Sequence, residues 1–289
     1  MKHLAFFLAF LLLLSWLSGC SHYQEADIAA STLPVYEFTG RLCQGSGITV
    51  SCLVTENISC LHDYTLQVRQ MRSIQSAEAV VISGAGLEDF LEDALSGAAH
   101  VIDASEGIRL SEADHHHHED AHSHAEDPHI WLSVANAKLM AENICQALAD
   151  LYPQHRTLFQ SNLTALLDDL DALQAYGEKT LGSLSCRELI TFHDGFSYLA
   201  ESFGLSILAA VEEESGSEAS AAQLAELISL VQTHDLPAVF VEKNGADSAA
   251  KIIAAETEIH LFSLDMTLSG SSYFDAMYHN INTLQEALQ

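Results

Sequence analysis

From about Gln154 to Leu181 the sequence sustains one helical pattern. Leu163, Leu166, Leu167, Leu170 and Leu173 lie along a single face, with Asp168, Asp169 and Asp171 off it. Strand-like and helix-like segments alternate on both sides of this long element. Before it come "DIAAS", the β-branched "GITVSCLV" (47–54), the wholly apolar "AVVIS" (79–83) and "HVIDAS". Helical stretches over Leu66–Ala79 and "LEDFLEDALSG" separate them, and Ser133 is placed to cap a helix over 134–150. After it come "ELITF" (188–192), "SILAAV", "AVFVEK" and "IHLFSLD", interleaved with helices over 221–232, 247–257 and 273–288. Ser220 with Gln223 three residues on forms a capping box for the first of these helices. Strands alternating with helices require crossover connections, hence parallel sheets with helices on their faces. The expected fold is α/β, in two lobes with the long helix as their connector.

The N-terminus points outside the cytoplasm. Met1-Lys2-His3 precedes the apolar run "LAFFLAFLLLL" and then "SWLSGC". That run is too short to span a bilayer, and its basic start and small-residue end read as a secretory signal. "LSGC", Leu17 to Cys20, resembles a bacterial lipoprotein cleavage box, which implies removal of residues 1–19 and lipidation of Cys20. The expected organisation is a signal peptide over 1–19 and a lipidated tether over 20–30. An N-terminal α/β lobe over 31–153, a connecting helix over 154–182 and a C-terminal α/β lobe over 183–289 follow. Acyl chains on Cys20 would hold the protein at the cell membrane without a spanning segment. Five cysteines remain, Cys43, Cys52, Cys60, Cys145 and Cys186. The compartment permits disulfides, but an odd count leaves one thiol over, and pairing is not readable.

The formal charge is −29, from 40 acidic and 11 basic residues, which repels nucleic acid and anionic lipid and attracts cations. The most concentrated cation-binding chemistry is residues 114–131, "DHHHHEDAHSHAEDPHIW". Within the loop over 111–126, His115, His116, His117, His118, His122 and His124 lie in a polar stretch without apolar periodicity. This reads as a loop that loads metal weakly, or as a solvated loop with no essential role. His129 stands apart, between Asp127-Pro128 and the next helix. His62 in "SCLHDY", His193 in "TFHDGF" and Asp265 in "SLDMT" each fall at or just after a strand end, where parallel sheets bind ligands. Three imidazoles and one carboxylate suit a borderline-soft divalent ion. Asp63, Asp194 and Glu242 are candidates to support these ligands, and Trp131 reads as a packing anchor. Glu212-Glu213-Glu214 reads as a solvated loop. There is no HExxH, GxSxG, phosphate-binding loop or dinucleotide fingerprint, so a zinc hydrolase built on these residues is the weaker reading.

These segments resemble the metal-binding lipoproteins of bacterial zinc and manganese ABC importers, the cluster A-I solute-binding proteins. The resemblance covers about 27–289. It rests on "LPVYEF", "HDYTLQVRQMRSIQSAEAVVISGAGLEDFL", "DPHIWLS", "LITFHDGFSYLAESFGL", the long middle helix and "YFDAMYHNINTLQEAL". It implies a rigid connecting helix, a metal site in the cleft between the lobes, and His62, His129, His193 and Asp265 at the family's ligand positions. It also implies a monomeric, non-enzymatic receptor that delivers its cargo to an ABC permease with its ATPase. The residue at 193 is histidine, where manganese-type members carry a carboxylate, and the histidine-rich insertion also goes with zinc. Zn2+ is therefore the expected cargo, with manganese or another divalent metal as the alternative and a metal-dependent adhesin as a lesser one. Two points stay open: whether Asp265 or water is the fourth ligand, and whether Cys60, in place of the family's usual turn-former, approaches the metal or is buried or paired elsewhere.

Overall fold

An apolar strand covered on both faces has no polar side to offer, and Ala79–Ile82 of the computed structural model is such a strand. The structure describes residues 26–56, 61, 64–111, 126–211, 219–268, 270 and 272–289. The signal and lipidation readings, Cys60, His62, Asp63, the six loop histidines and Glu212 to Glu214 lie outside them. Ala79–Ile82 (β3) belongs to a four-stranded sheet with Ile28–Ala30 (β1), Val50–Cys52 (β2) and Val101–Asp103 (β4), in the order β2-β1-β3-β4. Glu188–Phe192 (β5), Ser206–Ala210 (β6), Ala238–Glu242 (β7) and His260–Leu264 (β8) form a second sheet in the order β6-β5-β7-β8. Every pairing is parallel. The two lobes therefore share one topology, in which strand order reverses beside the first strand of each sheet. The carboxyl ends at such a reversal open a crevice.

The helices follow the sequence pattern where it is long and periodic. They are α1 (Leu33–Leu42), α2 (Val68–Ser76), α3 (Glu92–Leu95), α4 (Val134–Leu151), α5 (Arg156–Leu181), α6 (Ser197–Ser202), α7 (Ala221–Thr233), α8 (Ser248–Thr257) and α9 (Tyr273–Leu288). Ser133 caps α4 through Asn136 N, and Ser220 with Gln223 caps α7 reciprocally. Two expectations change. "LEDFLEDALSG" makes only a 3-10 turn, Asp89–Leu91, and the single turn of α3. Strand β1 starts at Ile28, inside the stretch expected as tether; its residues are buried and pair with both β2 and β3, so the lobe begins before residue 31.

Helix α5 joins the lobes by packing, not only by covalent connection. Leu166, Leu170 and Leu173 are fully buried, and Leu163 and Leu167 pack at the edge of the same cluster. A Cβ on Gly177 would sit 2.2 Å from Phe203 Cε1, so the glycine lets the C-terminal lobe approach the helix backbone. The main core cluster runs through both lobes, from Ile28 and Phe38 through Trp131 and α5 to Phe240 and Tyr273. Smaller clusters fill the outer face of each sheet. Among the described residues Cys43, Cys52, Cys145 and Cys186 are free thiols, and no helix is long and apolar enough to cross a membrane.

At the carboxyl ends of β1 and β3 the N-terminal lobe buries Glu88. Its carboxyl accepts from Ser31 Oγ (2.6 Å), Ser83 N (2.7 Å) and Gly84 N (3.0 Å). Burial outweighs these bonds and pushes the group up to about 7, from an ordinary 4.5. The folded state therefore holds a proton that the unfolded chain releases first. This contribution to stability is full below about 4.5 and is lost as pH rises through about 7. Between those limits wild type should lose ~2 kcal/mol relative to Glu88→Gln. Urea midpoints of the two proteins across this range check it; parallel curves would contradict it.

Candidate metal centre

His193 follows β5 directly, with extended backbone, and the chain then turns through Asp194–Phe196. Its side chain is almost wholly buried, and Nδ1 lies 3.5 Å from Glu242 Oε2, at the end of the neighbouring strand β7. Burial, and after it the Asp265 carboxylate, push Glu242 up to about 9. The Glu242 carboxyl thus lies in a low-dielectric region that resists its ionisation, and a divalent cation would relieve that resistance.

His129 precedes the 3-10 turn Ile130–Leu132. Asp127 Oδ1 accepts from His129 N (2.9 Å) and lies 2.8 Å from Nδ1. An ionised carboxylate only accepts, so the proton of a neutral ring sits on Nδ1 and the lone pair on Nε2. That is how a metal-binding imidazole is usually oriented by its partner. The other Asp127 oxygen is buried and has no hydrogen-bond partner among the described residues. Trp131 is fully buried as an anchor, its ring 5.4 Å from that of His129 and its Nε1 donating to Met266 O at 2.8 Å.

The two imidazoles meet across the seam between lobes, with ring centres 5.3 Å apart and planes at 81°. Two rings bound to one tetrahedral ion at about 2.0–2.1 Å place their centres roughly 5 Å apart. The pair therefore has the spacing that a shared ion requires. Gly195 keeps it open, since a Cβ there would lie 2.7 Å from His129 Nδ1 and 2.4 Å from Met266 Cε.

Asp265 follows β8. Asn280 of α9 clamps its backbone from both sides, accepting from Asp265 N and donating to Asp265 O, each at 2.7 Å. Its Oδ1 accepts from Thr267 N and its Oδ2 from Lys243 Nζ, both at 2.8 Å. Each carboxylate oxygen thus already has a donor. Among the described residues no group of three or more His, Cys, Asp or Glu side chains is gathered as a metal cage. His62 lies outside those residues, although its neighbour Leu61 is buried in the shared core.

Sequence reasoning did not single out Gly195, Lys243, Asn280 or Tyr198. Tyr198 OH donates to Asp127 O (3.1 Å) and accepts from Ser111 N (3.0 Å), while Asp127 N donates to Ser111 O. This tyrosine of the C-terminal lobe ties together both ends of the histidine-rich insertion. Lys243 had one legible signal, a cation placed at a strand end in a chain with few cations.

The family profile described as "Zinc-uptake complex component A periplasmic" (ZnuA) matches residues 28–287. The high-affinity zinc uptake system protein ZnuA of Bacillus subtilis is 28% identical over 94% of this chain and 90% of its own length. The zinc-binding lipoprotein AdcA of Streptococcus pneumoniae is 28% identical over 99% of this chain, which spans only 61% of AdcA. A crystal structure of ZnuA superposes with TM-score 0.79 at 28% identity, over 91% of this chain and 99% of that one. A manganese-bound point mutant of a periplasmic metal-binding protein from Candidatus Liberibacter asiaticus has TM-score 0.80. It covers 91% of this chain and 99% of that one, and at 21% identity it speaks to the fold alone.

Proposed function

Because the chain belongs to the family of zinc-uptake complex component A proteins, which are metal-binding transport receptors and not enzymes, we propose that it captures Zn2+ outside the cytoplasm. It then delivers the ion to an ABC permease with its ATPase. The observation that carries this reading is the buried imidazole pair at the seam, His129 and His193, at the spacing of two ligands on one ion. His62 would supply the third imidazole and Asp265 the carboxylate. Such a set has no position left for an activated water, which suits delivery rather than hydrolysis.

Nitrogen donors at three positions favour zinc over manganese, which prefers oxygen. Manganese is the alternative cargo, since the resembled family serves importers of both metals. Copper and nickel would also bind such a site in vitro, so selectivity is read best between these two candidates. In chelator-buffered competition the purified protein is expected to take one Zn2+ at least about 100-fold more tightly than Mn2+. Equal or tighter Mn2+ binding would overturn the choice of cargo.

The remaining features fit the same role. His115 to His118, His122 and His124 would collect ions near the cleft, and a lipid on Cys20 would keep a monomeric receptor at the cell membrane. A metal-dependent adhesin is the lesser alternative, since no adhesive module is evident in the sequence.

A further inference from the structure

The basic side chain at the edge of the centre has no part in gripping a cation, yet it is held against one of the carboxylates. Lys243 Nζ donates to Asp265 Oδ2 at 2.8 Å, and Thr267 N occupies Oδ1. The Lys243 backbone is fixed, its N–H donating to Leu264 O at 2.7 Å. Only the side chain is movable; it is 54% exposed, whereas that of Asp265 is 12% exposed. The ammonium therefore reaches from solvent onto a nearly buried carboxylate. Glu242, the preceding residue, is buried beside it.

We propose that Lys243 is a built-in competitor of the transported ion: its ammonium group and the incoming divalent cation contend for the same Asp265 oxygen. This rests on Asp265 acting as a ligand. To be ligated, Asp265 must give up the ammonium, which turns outward into water at small cost because its stem is already half exposed. The reverse motion supplies a cation to the carboxylate as the metal leaves, so Asp265 is never left as an uncompensated charge in a low-dielectric site. Lys243 thus weakens holding and hastens release, which a receptor that must hand its cargo on requires. Lysine suits this better than arginine would in a structural pair, since its flexible point charge forms no bidentate fork.

The test is a double-mutant cycle on the full chain, read by Zn2+ affinity and by the rate of Zn2+ loss to excess chelator. Lys243→Gln should raise affinity about three- to tenfold and slow release by a similar factor, whereas Lys243→Arg, which keeps the charge and can grip the carboxylate at least as firmly, should not raise affinity. In an Asp265→Asn background Lys243→Gln should change neither quantity. If Asp265→Asn weakens binding while Lys243→Gln leaves it unchanged or weakens it, the competitor role fails and the ligand role of Asp265 stands. The role also fails if the effect of Lys243→Gln persists without the carboxylate. If Asp265→Asn alone leaves Zn2+ binding intact, Asp265 is not a ligand, and the competitor role falls with that assignment.

Discussion

Replacing Gly195 with alanine lowers zinc affinity by about 10- to 100-fold without unfolding the protein. The added Cβ would lie 2.7 and 2.8 Å from His129 Nδ1 and Cε1 and 2.4 Å from Met266 Cε. The methionine tip can swing aside, because an unbranched thioether adapts. The imidazole cannot yield without cost, since Asp127 holds its Nδ1 and Trp131 packs against its edge. Relief therefore comes by tilting the ring or shifting the loop that carries His193, and either would move a lone pair off the proposed shared ion. Isothermal titration with zinc, beside a circular dichroism spectrum, checks both halves. Unchanged affinity in a folded variant would mean that the His129 ring is not fixed against this turn.

Truncating Trp131 has the largest expected effect on stability. Its indole is fully buried, its Nε1 donates to Met266 O, and its own carbonyl accepts from Tyr273 OH at 2.8 Å. Trp131→Ala opens a cavity and orphans the Met266 carbonyl, for a loss of roughly 4–5 kcal/mol. Trp131→Phe keeps most of the packing and should lose about 1–2 kcal/mol. Because these contacts tie the segment carrying His129 to the C-terminal lobe, the alanine variant should also bind zinc more weakly. Urea denaturation with an unchanged slope measures the first effect. A loss below about 1 kcal/mol for Trp131→Ala would show that the seam carries little of the fold's stability.

The sequence made much of this architecture legible for a physical reason. Long periodic segments such as α5 and α9, and apolar runs such as β3 and the first four residues of β7, admit few other conformations. The stretch 87–97 misled because its apolar spacing suits a helix. Instead Glu88 turns inward to bond Ser83 N and Gly84 N, which leaves room for only short turns. Strand order was not legible at all, since nothing local states which strand lies beside β1 or β5. For that reason His129 and His193 could be picked as candidates, one from its motif and the other from its strand end, but not shown to face each other. The Lys243–Asp265 pair was hidden for the same reason. It exists because β7 and β8 run side by side and bring two strand ends together.

The most direct test of the account is a zinc titration of four proteins: wild type, a deletion of 112–125, His129→Ala and His193→Ala. Wild type and the deletion should each bind one Zn2+ tightly, whereas each histidine variant should lose at least about 100-fold in affinity. Loss of tight binding on deleting the loop, with His193→Ala still binding as wild type, would contradict it.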